Sequence, residues 1–480
     1  MSKLAAGRNR KIIPIISQSD EAQYISLYAS QDKVYPRAVR GYFKNWRWVM
    51  IWLTQIVFYT IPWLTWNDRQ SVLFDISAHQ FYIFGLVLFP QDLIYLAFIL
   101  IISALALFLF TAVAGRLWCG FSCPQSVYTE IFLWIERQVE GDSLARMRLD
   151  NASIHAKKVS KKLIKHTVWI TFSMWTGFTF LGYFSPIRDL MQHILMFNLS
   201  GWETFWICFY GFATYGNAGF LREQVCKYMC PYARFQSAMF DDDTLIVSYD
   251  TKRGEPRSGR SRHIDANAKG LGDCIDCRLC VQVCPVGIDI RDGLQYECIS
   301  CGLCVDACNS VMDKMDYPKD LIRFSTKNGE AQQLTHSQRI INMLRPRVLI
   351  YAGLLLIISI GLVVSLANRA SFKVDIMRDR GVMARLEAGG NIENVYRMQI
   401  TNATESARSY QINVIGPKGL SMLNQKLVKV HATSEQLVPI SVQMLGDSVN
   451  PGMHAIQFEV TALDTQESII ESSVFYMPVE

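Results

Sequence analysis

The chain has 480 residues, half of them hydrophobic, with 11 Trp, 20 Tyr and 26 Phe, and its formal net charge is +6. A hydrophobic fraction this high is unusual for a soluble protein and favours an integral membrane protein. The positive charge lies mostly in loops between apolar segments, where it orients a membrane protein, so it gives no reason to expect a nucleic-acid partner.

Apolar segments of about 20 residues, the length that crosses the hydrocarbon core, are predicted to be transmembrane helices. In chain order they cover residues 46–66, 93–114, 167–184, 205–221 and 348–367. The shorter apolar stretch 81–90 is predicted to be an interfacial or re-entrant piece, the alternative being that it is simply buried. Residues 115–165 hold nine Lys and Arg, whereas 67–91 and 186–200 hold one each, which places the amino terminus inside and the carboxyl terminus outside.

Two cysteine pairs follow the pattern Cys-x3-Cys-Pro at the inner ends of the second and fourth predicted spans: Cys119 with Cys123, and Cys226 with Cys230. Because Pro suits the first position of a helix, Cys123 and Cys230 are predicted to lie at helix N-caps. The helix dipole and nearby basic residues such as Arg116 should then favour thiolates. Four soft sulfurs converging at the membrane edge would suit Cu(I), which thiolates select over hard cations. Ordinary buried thiols, a redox-active dithiol and a third metal cluster stay open as alternatives.

Eight further cysteines form two runs with the spacing C-x2-C-x2-C-x3-C: Cys274, Cys277, Cys280, Cys284 and Cys298, Cys301, Cys304, Cys308. In bacterial-type two-cluster ferredoxins the fourth cysteine of each run ligates the other cluster. We therefore predict two [4Fe–4S] clusters, one held by Cys274, Cys277, Cys280 and Cys308, the other by Cys298, Cys301, Cys304 and Cys284. Structural zinc does not explain the third cysteine step, and disulfides are disfavoured in a reducing compartment. The second run departs from the pattern, with Asn309 where the bacterial sequence has Pro.

The last 110 or so residues contain no Cys and no Trp and show short strand-like segments, which predicts a β-sandwich of immunoglobulin type. The fold class is thus a five-helix transmembrane bundle with an inserted two-cluster ferredoxin domain and a C-terminal immunoglobulin-like β-sandwich. The predicted domains are an N-terminal arm over 1–45, a membrane domain over 46–240, a ferredoxin-like domain over 241–345, a fifth span over 346–370 and an outer domain over 371–480.

Other polar residues carry weaker hypotheses. Glu203 and the pair Arg188-Asp189 lie near predicted membrane depth, where ionisable residues are either functional or interfacial anchors. His193 could bind a metal or haem on the outer side, the alternative being a structural role. Cys208 is interpreted as a small hydrophobe. His155, His166, His263 and His336 are given no role. No dinucleotide, Walker or haem-attachment motif is present.

The motifs beginning at Trp118, Cys226 and Tyr249, together with the paired cysteine runs, resemble the CcoG family of cytochrome c oxidase accessory proteins, also called FixG or RdxA. The resemblance extends over nearly the whole chain. The Cys-x3-Cys-Pro pairs are also seen in quinol dehydrogenases of the NapH and NosR type, so the specific feature is their combination with the terminal domain.

The resemblance implies a role in biogenesis of the cbb3-type oxidase in the bacterial inner membrane, by reduction of Cu(II) to Cu(I). The Cys-x3-Cys-Pro thiols would then reduce or bind copper, and the ferredoxin cysteines would carry the electrons. Implied partners are membrane lipid, oxidase assembly factors or a copper chaperone or transporter, and an unidentified electron donor, with a homodimer left open. One alternative is a quinol dehydrogenase-type subunit; another is an assembly scaffold with structural clusters.

Overall fold

A computed structural model describes residues 13–15, 23–25, 33–262, 269–331, 342, 344–379, 384–387, 390–423, 427–445 and 448–478. Most of the predicted N-terminal arm, together with His263 and His336, lies outside the described residues.

Helices dominate the first three quarters of the chain. They are α1 (Tyr42–Thr60), α2 (Leu93–Ala114), α3 (Leu117–Phe121), α4 (Pro124–Glu140), α5 (Ser143–Asn151), α6 (Ala156–Leu181), α7 (Ile187–Leu195), α8 (Gly201–Gly216), α9 (Pro231–Met239), α10 (Thr251–Gly254), α11 (Leu279–Gln282), α12 (Leu303–Met315), α13 (Lys327–Ala331) and α14 (Pro346–Ala367). Short 3₁₀ segments cover Ile61–Trp63, Pro90–Asp92 and Ile290–Asp292, and π-helical turns cover Asn217–Leu221 and Val225–Met229.

A helix occupies each of the predicted membrane spans, but the helices differ in how well they suit a bilayer. Pro90–Ala114 and Pro346–Ala367 are long and apolar enough to cross a membrane, with mean hydropathies of 2.9 and 2.7, and only 0% and 6% of their apolar windows are buried in the protein. Apolar surface left uncovered on this scale is typical of helices that face lipid. The helix is confirmed for α1, α6 and α8, whereas their crossing of the membrane stays a prediction.

The reason for that difference is visible in the helices themselves. Helix α6 begins in a lysine-rich segment well before the predicted span. Helix α8 ends at Gly216, and a π-helical turn follows it. The two pack closely, because a Cβ on Gly177 would lie 2.4 Å from the backbone oxygen of Ile207. Small residues at such a crossing are typical of helices packed within membranes.

The stretch 81–90 forms part of a small sheet, and its interfacial or re-entrant location in the membrane stays a prediction. Strands β5 (Val72–Asp75), β6 (Gln80–Ile83) and β7 (Leu86–Leu88) form an antiparallel sheet between α1 and α2, preceded by the short pair β3 (Thr65–Trp66) and β4 (Arg69–Gln70). Val87, Leu88 and Phe89 are buried. The alternative that the stretch is simply buried therefore holds for residues 87–89 only, whereas Phe84 is exposed.

The remaining strands belong to three other units. They are β1 (Ile13–Ile15), β2 (Gln23–Ile25), β8 (Ile246–Tyr249), β9 (Ile322–Ser325), β10 (Phe372–Arg378), β11 (Arg385–Leu386), β12 (Asn391–Asn402), β13 (Arg408–Ile415), β14 (Ser421–Met422), β15 (Leu427–Val430), β16 (Glu435–Leu445), β17 (Gly452–Ala462) and β18 (Ser468–Met477). Strands β8 and β9 pair antiparallel and close the ferredoxin-like module.

The C-terminal strands form the predicted sandwich. One antiparallel sheet has the order β10-β12-β16-β14, with β11 paired to β12, and the facing sheet has the order β15-β13-β17-β18. Alternate residues of β12 are buried, and Tyr396 contacts Phe458 of the facing sheet with ring centroids 5.1 Å apart. The two inner faces therefore share one apolar core.

The ferredoxin-like module and the sandwich lie at opposite ends of the long helices. At one end the backbone N–H groups of Phe43 and Lys44 donate to the carboxylate of Asp306, at 3.2 and 2.8 Å. At the other end Arg369, just after α14, pairs with Asp92 at 2.5 Å, and Gln80 donates to the backbone oxygen of Thr433 at 2.7 Å. The side of the membrane on which each end lies stays a prediction.

Candidate redox site

Two cavities in the ferredoxin-like module are lined by cysteines. The first is lined by Cys274, Cys277, Cys280 and Cys308, and the second by Cys284, Cys298, Cys301 and Cys304, with Cys280 also reaching its wall. These are the two groups of four that the crossed ferredoxin pattern predicts. Apolar side chains, among them Val286, Ile288 and Ile322, complete the walls.

The backbone of the two cysteine runs repeats. Asp276 and Arg278 in the first run have φ of 49° and 53°, and Ser300 and Gly302 at the matching positions of the second have φ of 52° and 72°. Positive φ is rare for residues other than Gly, so its recurrence at matching positions shows that both loops turn in the same way. Each loop then leads into a helix, α11 or α12.

The helices explain why the fourth cysteine of each run serves the other cavity. Cys304 and Cys308 are one helical turn apart on α12, which carries them past different loops. Cys308 lies within electrostatic range of Cys274, Cys277 and Cys280, whereas Cys284 lies within range of Cys301. Four thiol donors in an apolar surrounding fit a [4Fe–4S] cluster, which takes four thiolates at the corners of a cube.

The Cys-x3-Cys-Pro motifs have the predicted local structure. Cys123 is the N-cap of α4 and Cys230 is the N-cap of α9, each followed by Pro at the first helical position. Cys119 lies on the short helix α3, and Cys226 lies in the π-helical turn Val225–Met229. Turns of this kind inside helical segments are frequent at functional sites.

The structure brings these four cysteines together. Cys119 is within electrostatic range of Cys123 and Cys226, and Cys226 is also within range of Cys230. Within the described residues, no three His, Cys, Asp or Glu side chains converge closely enough to hold a single metal ion. The thiols therefore surround a shared region rather than one preformed ion site.

The thiols are not activated in the way that their N-cap positions suggested, which corrects that expectation. Burial raises the pKa of Cys119 to about 12 and the pKa of Cys226 to about 11, and burial also raises the pKa of Cys123. Loss of hydration disfavours the charged form more than Arg116 and the helix ends favour it. A bound metal ion would be needed to hold these sulfurs as thiolates.

The four-cysteine region touches the second ferredoxin cavity directly. A Cβ on Gly120 would lie 2.7 Å from the backbone oxygen of Ile299 and 2.8 Å from the Cα of Cys301, so only Gly permits this approach. Cys226 lines a pocket together with Pro285 and Ile299. The first motif therefore contacts the loop that carries Cys298 and Cys301, and Cys226 of the second motif shares a pocket with residues next to Cys284 and Cys298.

A buried cation lies between the two cysteine groups. Arg116 is 3% exposed, donates from Nη1 to the backbone oxygen of Cys298 at 3.4 Å, and donates from Nη2 to the backbone oxygen of Ala233. It also lies within electrostatic range of Cys119, Cys226 and Cys230. Its Nε and the Nε2 of the buried Gln236 have no hydrogen-bond partner among the described residues. Unused donors beside sulfur ligands fit a site that carries negative charge when it is occupied.

A network of buried ion pairs fixes the helices around this region. Glu136 on α4 pairs with Arg146 at 2.8 Å, Arg222 at 3.2 Å and Lys165 at 3.4 Å. Burial alone would raise the pKa of Glu136, but the three cations outweigh it and lower the pKa to about 2. Glu136 therefore stays ionised and joins α4, α5, α6 and the turn after α8.

Glu203 and His193, two further sequence candidates, have structural partners. Glu203 caps α8 by accepting from the backbone N–H of Ser200 at 2.7 Å, and it lies 3.1 Å from Nδ1 of His193. These contacts support a structural role for both residues. Sequence analysis missed His166, which lines a cavity beside Trp169. Its position three residues before Trp169, at the start of a predicted span, is the signal that could have found it.

Models of iron–sulfur families match two parts of the chain. A 4Fe-4S binding domain matches residues 96–140, and a 4Fe-4S dicluster domain matches residues 221–327. A model of the immunoglobulin-like fold at the C-terminus of FixG matches residues 362–478, and its description connects FixG with oxidoreductases.

Two relatives match most of the chain. Nitrogen fixation protein FixG of Rhizobium meliloti is 35% identical over 427 residues, covering 82% of this chain and 82% of that protein. Protein RdxB of Cereibacter sphaeroides is 38% identical over 412 residues, covering 84% and 86%. A solved structure of a FixG-related protein from Vibrio parahaemolyticus is 22% identical with a TM-score of 0.22, covering 23% of this chain and 100% of that one.

Proposed function

The chain belongs to the FixG family of iron–sulfur oxidoreductases, and from this premise we propose that it reduces Cu(II) to Cu(I) at the Cys-x3-Cys-Pro thiols. Its place would be the bacterial inner membrane, with the ferredoxin-like module in the cytoplasm and the sandwich outside. The product would serve copper delivery during assembly of a cbb3-type oxidase, through assembly factors or a copper chaperone or transporter.

The contact between Gly120 and Cys301 is the observation that carries the proposal. It sets Cys119 beside the loop of the second cysteine-lined cavity, with no side chain at position 120 to separate them. When bound, the two [4Fe–4S] clusters supply electrons one at a time, as the one-electron reduction of Cu(II) requires. Cys274, Cys277, Cys280 and Cys308 would hold one cluster, and Cys298, Cys301, Cys304 and Cys284 the other.

The chain's own groups then account for binding and selectivity. Since no three of the four thiols converge, two thiolates would hold copper, a coordination number that Cu(I) accepts. Soft sulfur ligands stabilise Cu(I) over Cu(II), so they favour the product of the reduction. Arg116 would compensate the negative charge of the thiolates, and its burial keeps that interaction strong.

A copper titration of the reduced protein tests the proposal. The full-length protein is purified without oxygen, reduced with dithionite, freed of excess reductant and titrated with Cu(II). Cluster absorbance and EPR report oxidation, and a cuprous chelator reports product. We expect one Cu(I) per electron lost from the clusters. Clusters that stay reduced beside Cu(II) would overturn the proposal.

Variants locate the reaction. Cys119→Ser and Cys226→Ser should abolish copper reduction while leaving the cluster EPR signals intact. Cys208→Ser is the matched control, because Cys208 lies within α8, away from the Cys-x3-Cys-Pro motifs. Copper reduction by the first two variants at the control rate would rule out the thiol site.

A further inference from the structure

A cavity of about 410 Å³ lies beside α6, and no cysteine lines it. His166, Trp169, Gly219, Phe220, Arg222 and Glu223 are among the residues that line it. Protein pockets that bind small organic ligands typically enclose about 300–1,000 Å³. The cavity is thus large enough for a ligand with one or two rings.

Aromatic side chains give this cavity flat walls. The rings of His166 and Phe220 are stacked, with centroids 6.1 Å apart and an angle of 13° between their planes. The ring of Trp169 meets both of them edge-on. Phe220 is 59% exposed on the outer surface of the helices, next to the predicted membrane interface. A planar ligand could therefore enter from the surrounding lipid.

The charges of the cavity argue against an anionic ligand. Lys162 pairs with Glu140 at 2.9 Å and with Asp150 at 2.5 Å, and Lys165 also pairs with Glu140 at 2.9 Å. Arg222 pairs with Glu136, as described above. An anionic lipid head group would have to displace these carboxylates, which is costly for buried ion pairs. The chemistry of the cavity favours a neutral ligand.

Two groups in the cavity can accept protons. Nδ1 of His166 is hydrogen-bonded to the hydroxyl of Tyr215 at 2.9 Å, and its Nε2 has no hydrogen-bond partner among the described residues. Burial, together with Lys165 and Lys162, lowers the pKa of His166, so the imidazole is neutral near pH 7. Glu223 forms no ion pair within the described part of the chain. A ligand with two hydroxyl groups would find an acceptor for each.

The cavity adjoins the redox site. Arg222 and Glu223 line both this cavity and the pocket formed by Cys226, Pro285 and Ile299. Glu223 is also within electrostatic range of Cys226. One layer of side chains therefore separates a bound ligand from the loops of the second ferredoxin cavity.

We propose that this cavity binds the head group of a membrane quinol, and that the quinol is the electron donor for copper reduction. The inference rests on the proposed function for its acceptor. Oxidation of one quinol to the quinone releases two electrons and two protons. Two Cu(II) ions take up the electrons, one each, and His166 and Glu223 receive the protons from the two hydroxyl oxygens.

Quinol-driven reduction of the clusters tests the inference without copper. The full-length protein in phosphatidylcholine nanodiscs, oxidised and anaerobic, is mixed with a short-chain ubiquinol or menaquinol, and cluster bleaching and EPR are followed. We expect reduction with both cluster signals appearing, and a rate at least tenfold lower in His166→Gln and in Phe220→Ala. His155→Gln is the control, since His155 is exposed and its ring nitrogen Nδ1 lies 2.8 Å from the backbone oxygen of Ser153. Dithionite must reduce all variants equally, which shows that their clusters are intact.

The outcomes separate the two proposals. The cavity assignment would be overturned if neither quinol reduced the clusters, or if all variants were reduced at equal rates. In that case copper reduction by the dithionite-reduced protein would still support the proposed function. Quinol reduction without reoxidation by Cu(II) would support the cavity and refute copper as acceptor. Retention of phosphatidylglycerol that depends on His166, with no quinol effect, would assign the cavity to a lipid head group and refute the quinol.

Discussion

Arg116 donates a hydrogen bond from Nη1 to the backbone oxygen of Cys298, across the boundary between the Cys-x3-Cys-Pro region and the ferredoxin-like module. No carboxylate of the described chain forms an ion pair with this buried guanidinium. A buried charge without a counter-ion is costly, so the anion it stabilises belongs to the occupied redox site.

Replacement of Arg116 should therefore change the redox properties of the neighbouring cluster. In Arg116→Met the loss of a positive charge disfavours the more negative, reduced state, and we expect the midpoint potential of one cluster to fall by about 50 mV. An EPR-monitored redox titration measures it. Arg116→Lys keeps the positive charge, so the midpoint potential of the cluster should stay close to that of the unmodified protein. Equal shifts in both variants would show that the hydrogen bond to Cys298, rather than the charge, matters.

A side chain at position 120 should separate the two cysteine groups. In Gly120→Ala the new Cβ would clash with the backbone of Ile299 and Cys301, so the loops must move apart. We expect copper reduction to slow at least tenfold although both clusters form, since electron transfer depends steeply on distance. Stopped-flow mixing of reduced protein with Cu(II) measures the rate. Gly216→Ala is the control, because its Cβ would meet nothing within 4 Å; a wild-type rate in Gly120→Ala would contradict the argument.

Single cysteine substitutions distinguish crossed from uncrossed ligation. Cys284→Ser should perturb the cluster of Cys298, Cys301 and Cys304 and leave the other EPR signal unchanged. Cys308→Ser should do the reverse, because Cys308 lines the cavity of the first run. If each substitution instead removes the signal assigned to its own run, the crossed assignment fails.

Asp306 caps a helix of a different domain. Helix α1 has no side-chain cap of its own, and the Asp306 carboxylate accepts the N–H groups of Phe43 and Lys44. Loss of a helix cap typically costs about 0.5–2 kcal/mol, so Asp306→Ala should lower the unfolding temperature of the ferredoxin-like module by a few degrees. Loss of cluster absorbance on heating reports it. Asp313→Ala on the exposed face of α12 should have no such effect.

Glu136 should contribute pH-dependent stability. Its pKa in the folded protein, about 2, is lower than its ordinary value of 4.5, so the stabilisation is complete above about pH 4.5 and is lost as the pH falls towards 2. Breaking a buried ion pair by removing one partner typically costs about 3–5 kcal/mol. Glu136→Gln should therefore unfold at a clearly lower temperature at pH 7, by circular dichroism. Glu393→Gln on the sandwich, which is only partly buried, should unfold like the unmodified protein.

Local sequence patterns predicted much of this structure. Spacing alone indicated both groups of four cysteines, because ligand order in two-cluster ferredoxins follows from the loop geometry. Proline after Cys123 and Cys230 predicted the N-caps, since the ring disfavours helix at the residue before it. Alternation of apolar residues likewise predicted the strands of the sandwich.

Features that depend on burial or on contacts distant in sequence were not predictable in this way. The pKa of Cys119 is raised because the ferredoxin-like module covers it, and the sequence does not show that contact. The capping of α1 by Asp306 joins residues that are 263 positions apart. The role of Gly120 depends on the contact between the Cys-x3-Cys-Pro region and the ferredoxin-like module. A glycine between two cysteines did not by itself predict that contact.

The order of synthesis determines when the ligands of each cluster become available. Each cysteine-lined cavity draws on both ends of the segment 274–308, so the first run leaves the ribosome with an incomplete set of ligands for either cluster. The ligands of the second cavity are complete once Cys304 has emerged and those of the first only when Cys308 has emerged, in both cases after α1 to α11 have been synthesised and before α14 and the sandwich exist. The ligands of both clusters are therefore all available before any strand of the C-terminal sandwich has been synthesised.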